Sequence, residues 1–201
     1  MYKLYDFLPS GNGYKVRLLL NLLDIPYERV ELNILAKETR TPEFLAKNTQ
    51  GKIPLLEIDG DRLLAESNAI LYYLGRDTEF FPTDRYLQGQ VMQWLFFEQY
   101  SHEPYIATAR YWISILQQPE KYREQLAHKH RLGNAALAVM ERHLKEREFM
   151  VGDTYTIADI SLYSYTHVAH EGGFGLSQYA AVRAWLNRIE AHSRHRLITQ
   201  P

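Results

Sequence analysis

The stretch Gly51-Lys52-Ile53-Pro54-Leu55-Leu56, followed by Ala65-Glu66-Ser67-Asn68, decides how the chain is read. Leu55 to Ile58 and Arg62 to Ala65 are short apolar runs on either side of Asp59-Gly60, a dipeptide suited to a tight hairpin. Proline just before the first run fits a strand start, where its missing N–H costs no ladder bond. An X-Pro bond reaches the cis form at only about 0.5–1 kcal/mol. A cis bond before Pro54 would turn the Ile53 N–H and C=O outward, free to pair with an extended ligand. Ser67 then reads as the N-cap of a helix carrying Ile70, Leu71 and Leu74, whose first N–H groups suit a small anion such as a carboxylate. Two ends of one peptide would be held here.

Upstream, Lys3 to Phe7 reads as a strand ended by Pro9-Ser10-Gly11. Val16, Leu19, Leu20 and Leu23 recur at helical spacing until Ile25-Pro26, and Tyr27 to Leu32 alternates as a second, parallel strand. Thr41-Pro42-Glu43 starts a short helix with Thr41 as N-cap and Pro42 at its first position. With the hairpin and the helix after it, the order is βαβ then αββα, a thioredoxin-like domain with a four-stranded mixed sheet over residues 1–78.

Residues 79–86, around Phe80-Phe81-Pro82, read as a linker, and residues 87–201 as an all-helical bundle domain. Arg85 to about Gln117 is one long helix with Pro104 as the place where it would break. Pro119 starts the next helix, in which Leu126, Gly133 and Met140 interleave with His130, Leu137 and Leu144 in a seven-residue pattern. Thr156-Ile157-Ala158-Asp159 is a capping box with Tyr155 and Ile160 as its staple. The helix it opens is apolar nearly all round and belongs at the domain centre. Val182, Trp185, Leu186 and Ile189 mark a last helix.

Composition narrows the function classes. At 201 residues and 46% hydrophobic content the chain can build real cores. A formal net charge of −1 gives no long-range attraction for nucleic acid or acidic membranes, and no apolar run reaches the roughly 18 residues of a membrane span. The start at Met1-Tyr2-Lys3 leads straight into a strand, so we expect a cytoplasmic protein. Zero cysteines exclude a protein-borne thiol nucleophile, so any thiol chemistry must use a substrate's sulfur. Eight histidines are scattered, and neither His128/His130 nor His192/His195 has convincing metal-ligand spacing, so no metal is expected.

The run Gln50 to Leu56 with Glu66-Ser67 resembles the glutathione-binding signature of the glutathione transferase superfamily, and the similarity extends over nearly the whole chain. The resemblance implies that Glu66 and Ser67 hold the γ-glutamyl end of glutathione. It also implies that the backbone at Ile53, before Pro54, pairs with the cysteinyl part and that Lys52 lies near the glycyl carboxylate. Gln50 and Arg40 are further candidates for that carboxylate. It implies a homodimer too, and a detoxifying transferase with glutathione as co-substrate.

In such a domain the loop after the first strand, Ser10-Gly11-Asn12-Gly13-Tyr14, meets the start of the first helix. By residue type alone it is a turn with an N-cap. Beside the downstream signature it reads as the thiol loop, with a Ser10 hydroxyl and an Asn12 amide able to donate to a thiolate, and glycines that let backbone N–H groups come close. The run from Ser10 to Arg17 is similar to serine-type classes, including the zeta class, from which it departs at Gly11 and Asn12, and to bacterial nu-like members. Across the cleft, Tyr100, His102, Tyr105, Arg110 and Tyr111 are expected to meet a small hydrophobic electrophile. Tyr5 is expected to be core. The same thiolate would serve a glutathione-dependent disulfide or peroxide reductase, and the fold also serves as a non-catalytic binding or scaffold module.

Overall fold

The computed structural model describes residues 1–200, and the chain divides into two units: residues 1–78 together with the segment from Ser193 onward, and residues 79–192. In the first unit, strands β1 (Tyr2–Asp6), β2 (Tyr27–Glu31), β3 (Leu55–Ile58) and β4 (Arg62–Ala65) form one sheet in the order β2-β1-β3-β4. β1 pairs parallel to β2 and antiparallel to β3, and β4 is antiparallel to β3. The register sets Leu4 against Leu56, both fully buried. Asp59 (φ 54°) and Gly60 (φ 89°) take the two left-handed positions that bring β4 back along β3. This is the thioredoxin-like mixed sheet expected from the order of elements.

Helix α1 (Gly11–Leu22) joins the two parallel strands, α2 (Pro42–Lys47) precedes the hairpin, and α3 (Ser67–Gly75) follows it. Thr41 caps α2 as expected, its Oγ1 accepting from the Phe44 N–H at 3.3 Å with Pro42 in the first turn. α1 is buried on nearly all sides, including Lys15 and Arg17 as well as Val16, Leu18, Leu19 and Leu20. A helix so enclosed needs a second cover besides the sheet. The C-terminal segment supplies it. Tyr14 donates its hydroxyl to the Arg196 carbonyl at 2.5 Å, and Arg17 Nη1 donates to the Ile198 and Gln200 carbonyls at 3.1 and 2.6 Å. Arg194 closes the strap by donating to the Leu22 carbonyl at 3.0 Å. The expectation that residues 87–201 form one helical domain therefore differs from the structure at the tail.

The second unit is helical. Asp84 caps α4 (Arg85–Phe97), its Oδ1 accepting from the Leu87 N–H at 2.9 Å. A π-helical turn over Glu98–His102 leads into α5 (Glu103–Arg110), and a second π turn spans Tyr111–Ile115. The path does not stop at Pro104, which sits in the first turn of α5 where its missing N–H is tolerated. α6 (Arg123–Leu144) buries Leu126, Gly133, Leu137, Met140 and Leu144. Half-buried His130 donates from Nε2 to the Gly172 carbonyl at 2.8 Å.

All ten residues of α7 (Ile157–Thr166) are buried, and α8 (Ala180–Glu190) turns Val182, Trp185, Leu186 and Ile189 inward. The expected capping box is present. Asp159 Oδ2 accepts from the Thr156 N–H at 2.9 Å, and Oδ1 accepts from the Met150 N–H at 2.8 Å and Trp185 Nε1 at 2.9 Å. Among the described residues, no helix is long and apolar enough to cross a membrane.

Candidate functional site

The candidate site is built where β1 hands over to α1 and β4 to α3. Ser10 closes a turn with its N–H on the Phe7 carbonyl at 2.7 Å and caps α1, its Oγ accepting from the Gly13 N–H at 3.2 Å. A hydroxyl that accepts here keeps its own proton to donate elsewhere. Asn12 lies half-buried in the first turn of α1, among N–H groups that have no partner within the helix. The macrodipole at such a start favours negative charge by roughly 0.3–1 kcal/mol.

The second half departs from the sequence reading in one respect. Ser67 is the first residue of α3 and not its cap; the cap position belongs to Glu66, held at φ 71° and ψ 113°. A left-handed φ at a residue with a Cβ costs of order 1–3 kcal/mol and clusters at functional positions. Ser67 thereby turns inward. Its Oγ donates to Asn12 Oδ1 at 3.3 Å and accepts from Lys15 Nζ at 3.3 Å. The exposed Glu66 carboxylate accepts from Gln50 Nε2 at 3.4 Å.

The loop before β3 is also cross-braced. Arg40 Nη1 donates to the Gln50 carbonyl at 2.9 Å, and Asn48 Nδ2 donates to the Lys52 carbonyl at 2.8 Å. Gly51 (φ 59°) has no room for a side chain, since a Cβ there would lie 2.6 Å from Arg40 Nη1 and 2.8 Å from the Thr39 carbonyl. The Ile53-Pro54 bond is cis, and β3 begins only at Leu55, so Ile53 lies outside the strand ladder. Lys52 is exposed and Pro54 buried.

A Cβ on Gly13 would fall 1.5 Å from Asp6 Oδ1, so its bare backbone makes room for a buried carboxylate. Asp6 Oδ2 accepts from Arg17 Nε at 2.8 Å, and Arg17 Nη2 donates to the Leu8 carbonyl at 2.6 Å in the loop that leads to Ser10. Burial pushes the Asp6 carboxyl up to about 6, against the opposing pull of the Arg17 charge. Tyr5, expected in the core, is half-buried and donates its hydroxyl to Glu57 at 2.8 Å, which leaves it no part in the thiol loop.

The residues expected to meet an electrophile are dispersed within the helical unit. His102 is fully buried with Nε2 2.9 Å from Thr166 Oγ1, and buried Arg110 is ion-paired to Glu171 at 2.7 Å, so the chemistry of both is directed inward. The Arg110 charge is thus balanced by the Glu171 carboxylate. Tyr100 is 82% exposed, Tyr105 stacks edge-on against His128, and half-buried Tyr111 opens the second π turn. Among the described residues, no three His, Asp or Glu side chains gather as a metal site.

Sequence reasoning missed Lys15. Its signal was legible, a cation just ahead of an apolar helical run and three residues after Asn12, a spacing that puts both on one helix face. A lysine in a helix ordinarily reaches solvent, so residue type alone does not announce its burial.

Comparison with known proteins bears on the family and the fold. The pattern of the glutathione S-transferase N-terminal domain matches residues 1–76, and that of the C-terminal domain matches residues 94–193. Glutathione S-transferase 1 of Schizosaccharomyces pombe is 31% identical over 194 residues, covering 88% of this chain and 81% of the relative. A crystal structure of glutathione S-transferase from Pseudomonas fluorescens superposes with a TM-score of 0.97 at 50% identity, covering 99% of each chain. Ure2p in complex with S-hexylglutathione superposes with a TM-score of 0.86 at 26% identity, covering 96% of this chain and 95% of that one. With both domain patterns matched in order and a full-length relative above 30% identity, the chain belongs to the glutathione S-transferase family.

Proposed function

We propose that the chain binds reduced glutathione in its first unit and turns the thiolate on small hydrophobic electrophiles. The observation that carries this reading is the hydrogen bond from Ser67 Oγ to Asn12 Oδ1. It ties the starts of α1 and α3 together, so that two positive helix ends and their side-chain donors serve one small region. Glu66 and Ser67 would hold the γ-glutamyl end, and the Ile53 backbone the cysteinyl part. Lys52, with Gln50 and Arg40, would lie near the glycyl carboxylate. The S-hexylglutathione held by Ure2p supports a glutathione ligand for a fold of this kind.

Ser10 and Asn12 donate to the sulfur and favour its ionised form, with each unit of thiol pKa worth about 1.4 kcal/mol. The thiol proton leaves to solvent, the sulfur lone pair forms a carbon–sulfur bond, and the leaving group departs with the electron pair it shared with that carbon. The protein supplies position and preorganised donors, with no covalent intermediate on its own side chains. Tyr105 and Tyr111 are the aromatic candidates for contact with the electrophile, together with Tyr100. Exposed Tyr86 and Phe96 on α4 offer the apolar surface a homodimer would cover.

Steady-state kinetics with an aryl halide, alongside calorimetric titration with glutathione, test the assignments. Ser10→Ala and Asn12→Ala are expected to lower kcat by roughly 10- to 1000-fold with little change in glutathione affinity. Glu66→Ala is expected to weaken glutathione binding by about 10- to 100-fold. The reverse pattern would overturn the roles, and faster turnover of glutathionyl disulfides than of aryl halides would make the enzyme a disulfide reductase.

A further inference from the structure

Lys15 is the charge that the proposed chemistry leaves without a task. Its side chain is fully buried in α1, one turn beyond Asn12. Nζ donates to Ser67 Oγ at 3.3 Å, and that oxygen donates onward to Asn12 Oδ1 at 3.3 Å. An ammonium group is a donor only, so Ser67 spends a lone pair on it and directs its single proton to Asn12. The positive charge adds a preference of its own. On the side facing Lys15, it favours the carbonyl end of the Asn12 amide over the nitrogen end. With Oδ1 held toward Ser67, the Nδ2 hydrogens are presented on the other side of the amide.

We propose that Lys15 is a positioning residue that acts through Ser67 to fix which end of the Asn12 amide faces the glutathione sulfur. The relay couples the residue that anchors the γ-glutamyl end to the residue that donates to the thiolate. It rests on the glutathione reading above and adds to it a reason for placing a cation in the interior of the domain. Without Lys15, the Ser67 hydroxyl loses the donor that directs its proton to Asn12, and the preference for Oδ1 over Nδ2 on that side of the amide weakens. A flipped amide sets a carbonyl oxygen against the sulfur and disfavours the thiolate.

The test follows the ultraviolet absorbance of the thiolate against pH at saturating glutathione, in a cycle of wild type, Lys15→Met, Asn12→Ala and the double variant. Lys15→Met is expected to raise the bound thiol's pKa by about one unit, a tenfold smaller thiolate fraction near neutrality. In the Asn12→Ala background the same change is expected to shift it little, because the group through which Lys15 acts is gone. Ser67→Ala removes the middle of the relay while leaving Lys15 in place, and is expected to give the same rise. It carries the test if Lys15→Met fails to fold. An equal rise with and without Asn12 would show Lys15 acting as a bare charge and overturn the proposal, as would no rise in Lys15→Met or in Ser67→Ala. A wild-type protein that binds no glutathione would overturn the reading of the whole site, whereas intact binding with unchanged acidity in the variants overturns the relay alone.

Discussion

Gly13 and Glu66 show how much of this site is settled by single backbone positions. Gly13 stands 1.5 Å from the Asp6 carboxylate when a Cβ is added, and that carboxylate is itself fixed by Arg17. Neither the fully buried acid nor its buried partner can swing aside. Gly13→Ala is therefore expected to cost about 1–3 kcal/mol or more, read as a fall in the urea midpoint at unchanged m-value. Wild-type stability in that variant would contradict the packing described. Glu66 is a different case, because its left-handed backbone has room for a side chain and points the carboxylate outward near Gln50. The family resemblance singles out its residue type. Its conformation was not legible, since nothing in Ala65-Glu66-Ser67 forces a positive φ on a glutamate. For the same reason Ser67 was taken for a cap, a role that composition suggests and backbone geometry reassigns.

At the scale of elements, the legible parts were those with a periodic or capping signal. The hairpin, α2 with its Thr41 cap, and α7 with its box all follow from residues whose preference is local. The two π turns had no such signal, since one extra residue in a helix leaves the apolar spacing on either side nearly intact. α7 also carries a pH dependence. Burial pushes the Asp159 carboxyl up to about 6, although two backbone N–H groups, Trp185 Nε1 and the Thr156 hydroxyl all favour its ionised form. Its folded pKa lies above the unfolded value of 3.8. The folded state therefore holds the proton more tightly, and this contribution is full below the unfolded value and lost as pH rises through the folded one. Relative to Asp159→Asn, wild-type stability is expected to fall by about 3 kcal/mol from below pH 4 to above 6 and to level off beyond it. Urea unfolding of both proteins across that range checks the sign, and a difference that grows with pH would contradict it.

Over the whole molecule, the change from mixed to helical periodicity near residue 80 was visible in the sequence, but the last residues were misassigned. They follow the final helix directly and carry no pattern of their own. Their place on α1 depends on side chains far upstream, chiefly Tyr14 and Arg17. Arg17 reaches both this strap and the Leu8 carbonyl, so one buried guanidinium braces the tail and the approach to Ser10. The electrophile side was the least legible. Aromatic and basic residues at helical spacing look alike whether they line a pocket or fill a core, and His102 and Arg110 proved to be directed inward.

On the proposed function, the starts of α1 and α3 together make glutathione's sulfur a nucleophile near neutral pH. The most direct measurement is a pH titration of thiolate absorbance in the wild-type complex with glutathione. The bound thiol's pKa is expected to lie a unit or more below the ordinary thiol value of about 8.5. Tight binding with an unshifted thiol would contradict it.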